Sequence, residues 1–432
     1  MIDRQTKMGP TSRRGFWGAL LPLGMILLLG ACDSLDQLLS VDVPSDVEAD
    51  ELREPGSAPL LVLSAITDFE CALVHYIVAG GKVGDEFEDS QLAAALGGYD
   101  RRDFNLPPLT GAFATTTCAG AIGVYTPLST ARFQADDALH LLEEVWAEAD
   151  VPDRSDLIAQ AAAFSGYSHI LLGEAMCTVA FDEGPELPRS GAWERAEDRF
   201  TRAIAAAEAA GNDDMLNLSL VGRARARLNL GDGPGAVSDA SLVPEGFAHY
   251  ATYTAGISRR ENRVFTRNEE GGLITIGRWY RDLTVDGVPD PRVPVTDSGR
   301  MGADIVTPLF VQSKYTSRSS PIPIGRWEEA QLIIAEVEGG QTAVDIINDL
   351  RGRHDLPPFS STDAAEIQEQ IIEERARELF LEGHHLGDII RYDLPLRPPA
   401  GTPYPPKMGG AYGDMTCFPL PDVERLNNPN IS

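Results

Sequence analysis

The strongest constraint on the fold of this chain is a run of apolar residues at helical spacing that continues through successive segments between residues 131 and 245. From Ala131 to Trp146, the residues Phe133, Ala138, Leu141, Leu142, Val145 and Trp146 recur near the helical period of about 3.6. From Asp156 to about Ala180, Ala161, Phe164, Tyr167, Leu171 and Leu172 face one way, and the segment is long enough to be a central packing helix. Trp193 to Ala210 carries Phe200, Ile204 and Ala207 on its stripe. Leu218 to Leu230 is a further helix, closed by Gly231-Asp232-Gly233-Pro234, and a short one from Ala236 leads to Pro244.

The order Ala224, Leu228, Leu230-Gly231-Asp232, Ala236, Ala240 resembles a tetratricopeptide repeat, in which small residues let two antiparallel helices approach closely. A second helical pair is predicted at Arg326–Glu336 and Thr342–Arg353. The expectation is a mainly all-α chain: tetratricopeptide-like helices over about 131–245 and 324–392, long irregular loops and minor β hairpins. Between about 246 and 323, Gly271-Gly272, Pro289, Pro291, Pro294 and Pro308 interrupt short β-prone runs, which predicts a large irregular insertion. Long loops on a rigid scaffold commonly carry function, so this insertion is a candidate contact region.

The N-terminus predicts an address. Arg13 and Arg14 precede an apolar run from Phe16 to Leu29 that ends in Leu29-Gly30-Ala31-Cys32. Small residues before the cysteine fit a lipoprotein signal peptidase, so residues 1–31 read as a signal peptide and Cys32 as the lipidated first residue. The run is short for a bilayer span and Pro22 interrupts it. Ser12-Arg13-Arg14-Gly15-Phe16 also resembles a twin-arginine signal, and the export route is left open. Residues 32–58, acidic and aperiodic, read as a tether, and 59–432 as one domain.

Formal net charge is −29, and cleavage before Cys32 removes four basic residues and one acidic one, which takes it to −32. Acidic residues spread along the whole chain argue against a nucleic-acid partner and against a polybasic membrane grip. Once Cys32 is lipidated, Cys71, Cys118, Cys177 and Cys417 remain. Two disulfides or buried free thiols both fit, and among pairings the sequence does not choose.

Four stretches of the C-terminal part carry a family likeness. They are Asp290-Pro291-Arg292 with Lys314-Tyr315 and Pro321-Ile322-Pro323; Arg326-Trp327-Glu328-Glu329-Ala330 through Ile347-Asn348-Asp349-Leu350-Arg351; Glu374-Arg375, Glu378-Leu379-Phe380, Glu382-Gly383-His384, Asp388 and Arg391; and Cys417-Phe418-Pro419-Leu420-Pro421 with Glu424 and Asn428-Pro429. They resemble the SusD/RagB family of outer-membrane nutrient-binding lipoproteins. Two positions depart from its pattern: His385 stands where arginine is usual, and Gly325 where a larger apolar residue is usual. The resemblance implies a lipid-anchored chain at the outer membrane, probing the cell exterior for a glycan or oligosaccharide. It also implies a SusC-like TonB-dependent transporter as partner. Ligand residues sit in variable loops of that family and are not transferable.

Sugar recognition needs flat apolar ring faces together with amide and carboxylate groups for its hydroxyls. The candidate platforms are Trp279 and Tyr280, next to Arg278 and Arg281, and Tyr76, Phe87 and Tyr99, which flank the acidic stretch 84–88. Trp146, Trp193 and Trp327 lie on helical stripes and read as core. Glu374, Glu378 and Glu382 share one helix face, but carboxylates in a stripe do not flank a bond from opposite sides as glycosidase acids must, and Arg375, Arg377 and Arg391 are near enough in sequence to pair with them. His384-His385 beside Glu382 and Asp388 lacks metal-ligand spacing. No catalytic residue, metal or cofactor is therefore expected. The competing readings are a lipidated tetratricopeptide-type scaffold for envelope proteins and a glycoside hydrolase.

Overall fold

The computed structural model describes residues 51–92, 94–104, 113–118, 120–405 and 409–431. The signal peptide, Cys32 and most of the tether fall outside the described residues. From Leu52 onward the chain forms one unit. Its helices are α1 (Ala58–Val83), α2 (Ala94–Arg101), α3 (Tyr125–His140), α4 (Arg154–Ala175), α5 (Ser190–Ala210), α6 (Asp213–Leu230), α7 (Gly233–Ala240), α8 (Trp327–Glu338), α9 (Gly340–Gly352), α10 (Ala364–Glu378), α11 (His385–Tyr392) and α12 (Asp422–Asn427). The fold is mainly α, as the periodicity predicts.

The central helix is α4, buried along almost all of its length. It packs between α3 and α5, with α1 behind it. Glycine makes this approach possible: a Cβ at Gly166 of α4 would lie 2.8 Å from the Phe200 ring, and one at Gly222 of α6 would lie 2.3 Å from the same ring. Three helices thus converge on one phenylalanine of α5. The turns are equally specific. Gly211 and Gly231 end α5 and α6 in the left-handed region (φ 67° and 81°), and Asn212 and Asp232 then cap the next helices by accepting the Met215 and Gly235 N–H groups. Each such cap contributes about 1 kcal/mol. The Gly-Asp turn read from sequence joins α6 to α7 in this way.

Helix α1 has the length and apolarity to cross a membrane, yet most of it is buried inside the fold. It is a core helix. Two positions of the α3 stripe need correction: Phe133 and Val145 are half exposed. Ala131, Ala135 and Ala138 supply the buried face instead, and a π-type turn at Leu141–Val145 shifts the angular register before Trp146. Trp146 and Trp327 are buried as expected, while Trp193 is half buried against Gly173.

The 246–323 region is more regular than its composition suggests. Short antiparallel pairs organise it, among them Ala248–Ala251 with Ile322–Arg326 and Val295–Met301 with Pro308–Gln312. Asn268, fully buried, ties the region together by donating to Ile274 O and Phe310 O and accepting the Gln312 N–H. Gly325 is explained by space: a Cβ there would meet Tyr167 Oη at 2.5 Å. The four cysteines pair as Cys71–Cys118 and Cys177–Cys417. The second pair fastens the C-terminal segment to the end of α4, where the Cys177 N–H also donates to Phe418 O.

Candidate functional site

Four of the five aromatic candidates lie in the core. Tyr76, Phe87, Tyr99 and Tyr280 are 0–3% exposed, so none offers a ring face to a sugar. Tyr76 donates its hydroxyl to Glu174, and Tyr99 to Ile122 O. Phe87 packs over Gly81. Tyr280 stacks on Phe380 with centroids 5.0 Å apart. The apolar bodies of these rings outweigh their polar tips. Trp279 alone of the five reaches the surface, partly exposed.

The geometry around Trp279 starts from a two-strand pairing, Phe87–Asp89 against Ile274–Ile276, in register Phe87↔Ile276 and Glu88↔Thr275. Alternation turns Phe87 and Asp89 inward and leaves Glu88 partly open. Gly277 closes the pairing by donating to Glu86 O, and a Cβ there would lie 2.0 Å from Asp85 O. A 3-10 turn, Arg278–Tyr280, follows. It sends Tyr280 into the core and Arg278 outward, while Trp279 lies partly buried against the core with its indole N–H covered.

Carboxylates fix the cations here. Glu88 Oε1 accepts both the backbone N–H of Arg278 (3.0 Å) and its Nε (2.7 Å). Asp85, in the left-handed region at φ 65°, accepts Nε and Nη2 of Arg397 at 2.9 and 3.1 Å, a bidentate pair. Both guanidinium carbons then lie near the Trp279 ring centre, Arg278 at 5.2 Å and Arg397 at 5.9 Å. Arg281, also proposed from sequence as a neighbour, is committed elsewhere: it donates twice to Ile276 O and lies over Phe310.

The C-terminal segment that brings Arg397 into place is held by a residue the sequence gave no reason to choose. Arg102, 1% exposed, donates to Gly413 O, Arg397 O and Pro398 O, and its guanidinium covers Tyr412. Tyr404 packs edge-on against Tyr412 and donates to Asp100, which also accepts the Asp89 N–H. Burial pushes the Asp100 carboxyl up to about 6, against the pull of those two hydrogen bonds. In the sequence, Asp100-Arg101-Arg102-Asp103 looks like a solvated charge run. Only the approach of residues 397–413 makes it a clamp.

Elsewhere a cleft of about 660 Å³ opens over the late helices, with Tyr250 on its rim and Lys314, Arg326, Glu378 and Glu382 on its floor. The floor groups satisfy one another. Arg326 donates Nε to Glu382 and Nη1 to Glu378, and Lys314 donates to Glu382 at 2.6 Å. Glu374, the third acid of the stripe, accepts from Arg292 and Arg351. The partners expected from sequence are thus wrong: Arg375 pairs with Asp388, Arg377 with Glu373 and Asp290, and Arg391 with Glu336 and Asp388. Burial alone would raise the Glu378 carboxyl, but the His354 hydrogen bond and the guanidinia of Arg326 and Arg292 hold it at about 2. A carboxyl held there carries no proton to donate at neutral pH.

The adjacent histidines diverge. Burial and four guanidinia push His384 well below its ordinary value, while His385, also opposed by burial, is raised by the Asp85 carboxylate 3.6 Å away and the charge of Glu86. Among the described residues, no group of three His, Cys, Asp or Glu is placed to hold a metal ion.

Residues 312–417 match the sequence profile of the SusD family. The fold matches solved structures over most of its length. The fold is SusD-like. A SusD superfamily protein from Bacteroides vulgatus ATCC 8482 superposes with TM-score 0.62 at 14% identity, over 88% of this chain and 98% of that one. A SusD-like carbohydrate binding protein from the same organism gives 0.61 at 15%, over 88% and 97%. A SusD homolog from Bacteroides thetaiotaomicron VPI-5482 gives 0.61 at 14%, over 90% and 99%. Comparison with curated proteins finds no match. At these identities the comparison establishes the shared fold.

Proposed function

We propose that this chain is a cell-surface lipoprotein, anchored through Cys32, that captures a glycan or oligosaccharide and passes it to a SusC-like TonB-dependent transporter in the outer membrane. The observation that carries the reading is the Trp279 cradle: on a SusD-like scaffold, a partly exposed indole packed against the core carries two anchored guanidinia near its ring where three sequence-distant segments meet. The indole supplies an apolar face for the C–H side of a pyranose, and the guanidinia supply donors for its oxygens. The matched carbohydrate binding protein of Bacteroides vulgatus supports the ligand class. Binding proceeds without turnover, because the one stripe of acids is consumed by ion pairs.

The test has two arms. Isothermal titration against a panel of neutral and charged glycans is expected to find a binder, and Trp279→Ala to weaken it at least about tenfold, roughly 1.4 kcal/mol. Affinity purification of the lipidated protein from its own outer membrane is expected to recover a β-barrel transporter in near-equal amount. Recovery of envelope assembly proteins without a barrel would move the assignment to a scaffold, and sugar release from any panel member would move it to a hydrolase.

A further inference from the structure

The charge at the cradle is opposite to the charge of the chain. The protein carries −29 overall, yet the exposed groups around Trp279 are guanidinia: the side chains of Arg278 and Arg397 are 47% and 43% exposed, while their carboxylate partners Glu88 and Asp85 are 18% and 9% exposed. The acids lie beneath and the cations on top. The bonding is also incomplete on the solvent side. Arg278 spends Nε on Glu88, and Arg397 spends Nε and Nη2 on Asp85. Among the described residues, both terminal nitrogens of Arg278 and Nη1 of Arg397 have no protein acceptor.

We propose that the cradle selects an acidic glycan, one whose pyranose ring carries a carboxylate or sulfate group; this rests on the glycan-binding reading above and narrows it. The ring lies on Trp279 and its anionic substituent bridges the free edges of Arg278 and Arg397. A guanidinium offers two parallel N–H donors that match a carboxylate or a sulfate face, which a neutral hydroxyl cannot use as fully. The two arginines enter already oriented by Asp85 and Glu88, so little side-chain entropy is lost on binding.

The experiment uses the full lipidated protein in detergent, titrated calorimetrically with polygalacturonate, a sulfated galactan, and the neutral galactan and glucan of similar length. The expected result is tighter binding of one or both acidic polymers, by at least about tenfold over the neutral ones. That affinity should fall as sodium chloride rises from 50 to 500 mM, as for any charge-assisted contact. The two acidic polymers tell carboxylate from sulfate recognition. Arg278→Gln is expected to remove the acidic preference, and Arg278→Lys to restore only part of it, because the point charge stays while the fork is lost. Equal binding of neutral and acidic polymers, lost in Trp279→Ala but unchanged in Arg278→Gln, overturns the acidic preference and leaves glycan capture standing. No binding to any polymer overturns both. Free acetate or sulfate binding as tightly as the polymer would also overturn it, since the ring would then contribute nothing.

Discussion

Two regions of this molecule are made of the same material, arginine against carboxylate, and differ in what is left over. Around α10 and α11, Arg292, Arg326, Arg351 and Lys314 meet Glu374, Glu378 and Glu382, and every acid is engaged by at least two cations or a cation and a histidine. At the cradle, Arg278 and Arg397 each meet one acid and keep donors facing water. The first arrangement spends its charges on one another on the floor of a cleft, so it holds helices together. The second is anchored on one side and open on the other, which is the requirement for a ligand site.

The sharpest way to break that comparison is to remove a cation from the closed region. Arg326→Ala takes the shared guanidinium from Glu378 and Glu382, both 5% exposed or less, and leaves Glu382 with Lys314 alone and Glu378 with Arg292 and His354. A buried charge left wholly without its partner costs about 3–5 kcal/mol, and this partial loss is expected towards the lower end of that range. Thermal or urea unfolding should show the largest loss of any single substitution named here. A loss below about 1 kcal/mol would mean that solvent reaches this network and that it is no more closed than the cradle.

Glu86 sits between the two regions and sharpens the contrast. It neighbours Asp85 of the cradle, accepts the Leu381 N–H, and lies near Lys314 of the network. Burial pushes its carboxyl up to about 7, against the pull of His385, the Leu381 N–H and Lys314. The folded chain therefore holds this proton more tightly than the unfolded chain, whose carboxyl titrates near 4.5. Below about 4.5 both forms are protonated and nothing is lost; as pH rises towards 7 the fold is progressively penalised, by about 3 kcal/mol when both are ionised. His385, raised in the fold, loses its stabilising contribution over the upper part of the same range. Glu86→Gln keeps an acceptor for Leu381 and removes the charge. Urea unfolding from pH 5 to 8 should show a flatter decline in the variant than in the parent. Identical slopes would assign the pH dependence to other groups.

How much of this was legible beforehand follows from distance along the chain. The helices at 154–175, 190–210 and 213–230 were legible because their signals are local: apolar period, Gly at the stop, Asn or Asp at the next cap. The core role of Trp146 and Trp327 came from the same period. Glu374 and Glu378 lie on α10 as the spacing predicts, but the helix ends at Glu378 and Glu382 follows in the turn beyond it, so the three acids do not share a helix face; their partners were not legible, because Arg292 and Arg326 reach Glu374 and Glu378 across 82 and 52 residues. At the cradle, Trp279 and Arg278 share a turn and could be read together. Arg397 comes to Asp85 across 312 residues and Arg102 to Gly413 across 311, separations at which one sequence carries no pairing signal. The burial of Tyr76, Tyr99 and Tyr280 is set at a distance for a related reason. Whether a ring faces water depends on which remote segment packs over it, and Glu174, Phe418 and Phe380 do so for these three.

The smallest effect is the most discriminating. Arg278→Gln removes a cation from an exposed pair, and such pairs contribute about 0–1 kcal/mol because water screens them and two long side chains lose freedom in making them. Glu88 is not stranded by the change, since it keeps the Arg278 backbone N–H, and Arg281 remains 3.5 Å away. The variant should therefore unfold within about 1 kcal/mol of the parent while its response to acidic glycans changes. If Arg278→Gln instead destabilises as much as Arg326→Ala, the cradle is a structural ion pair that happens to face solvent, and its open donors are a consequence of packing. A stability that stays put while ligand preference moves separates the two kinds of arginine cluster by measurement, since only a group not needed by the fold is free to be specified by a ligand.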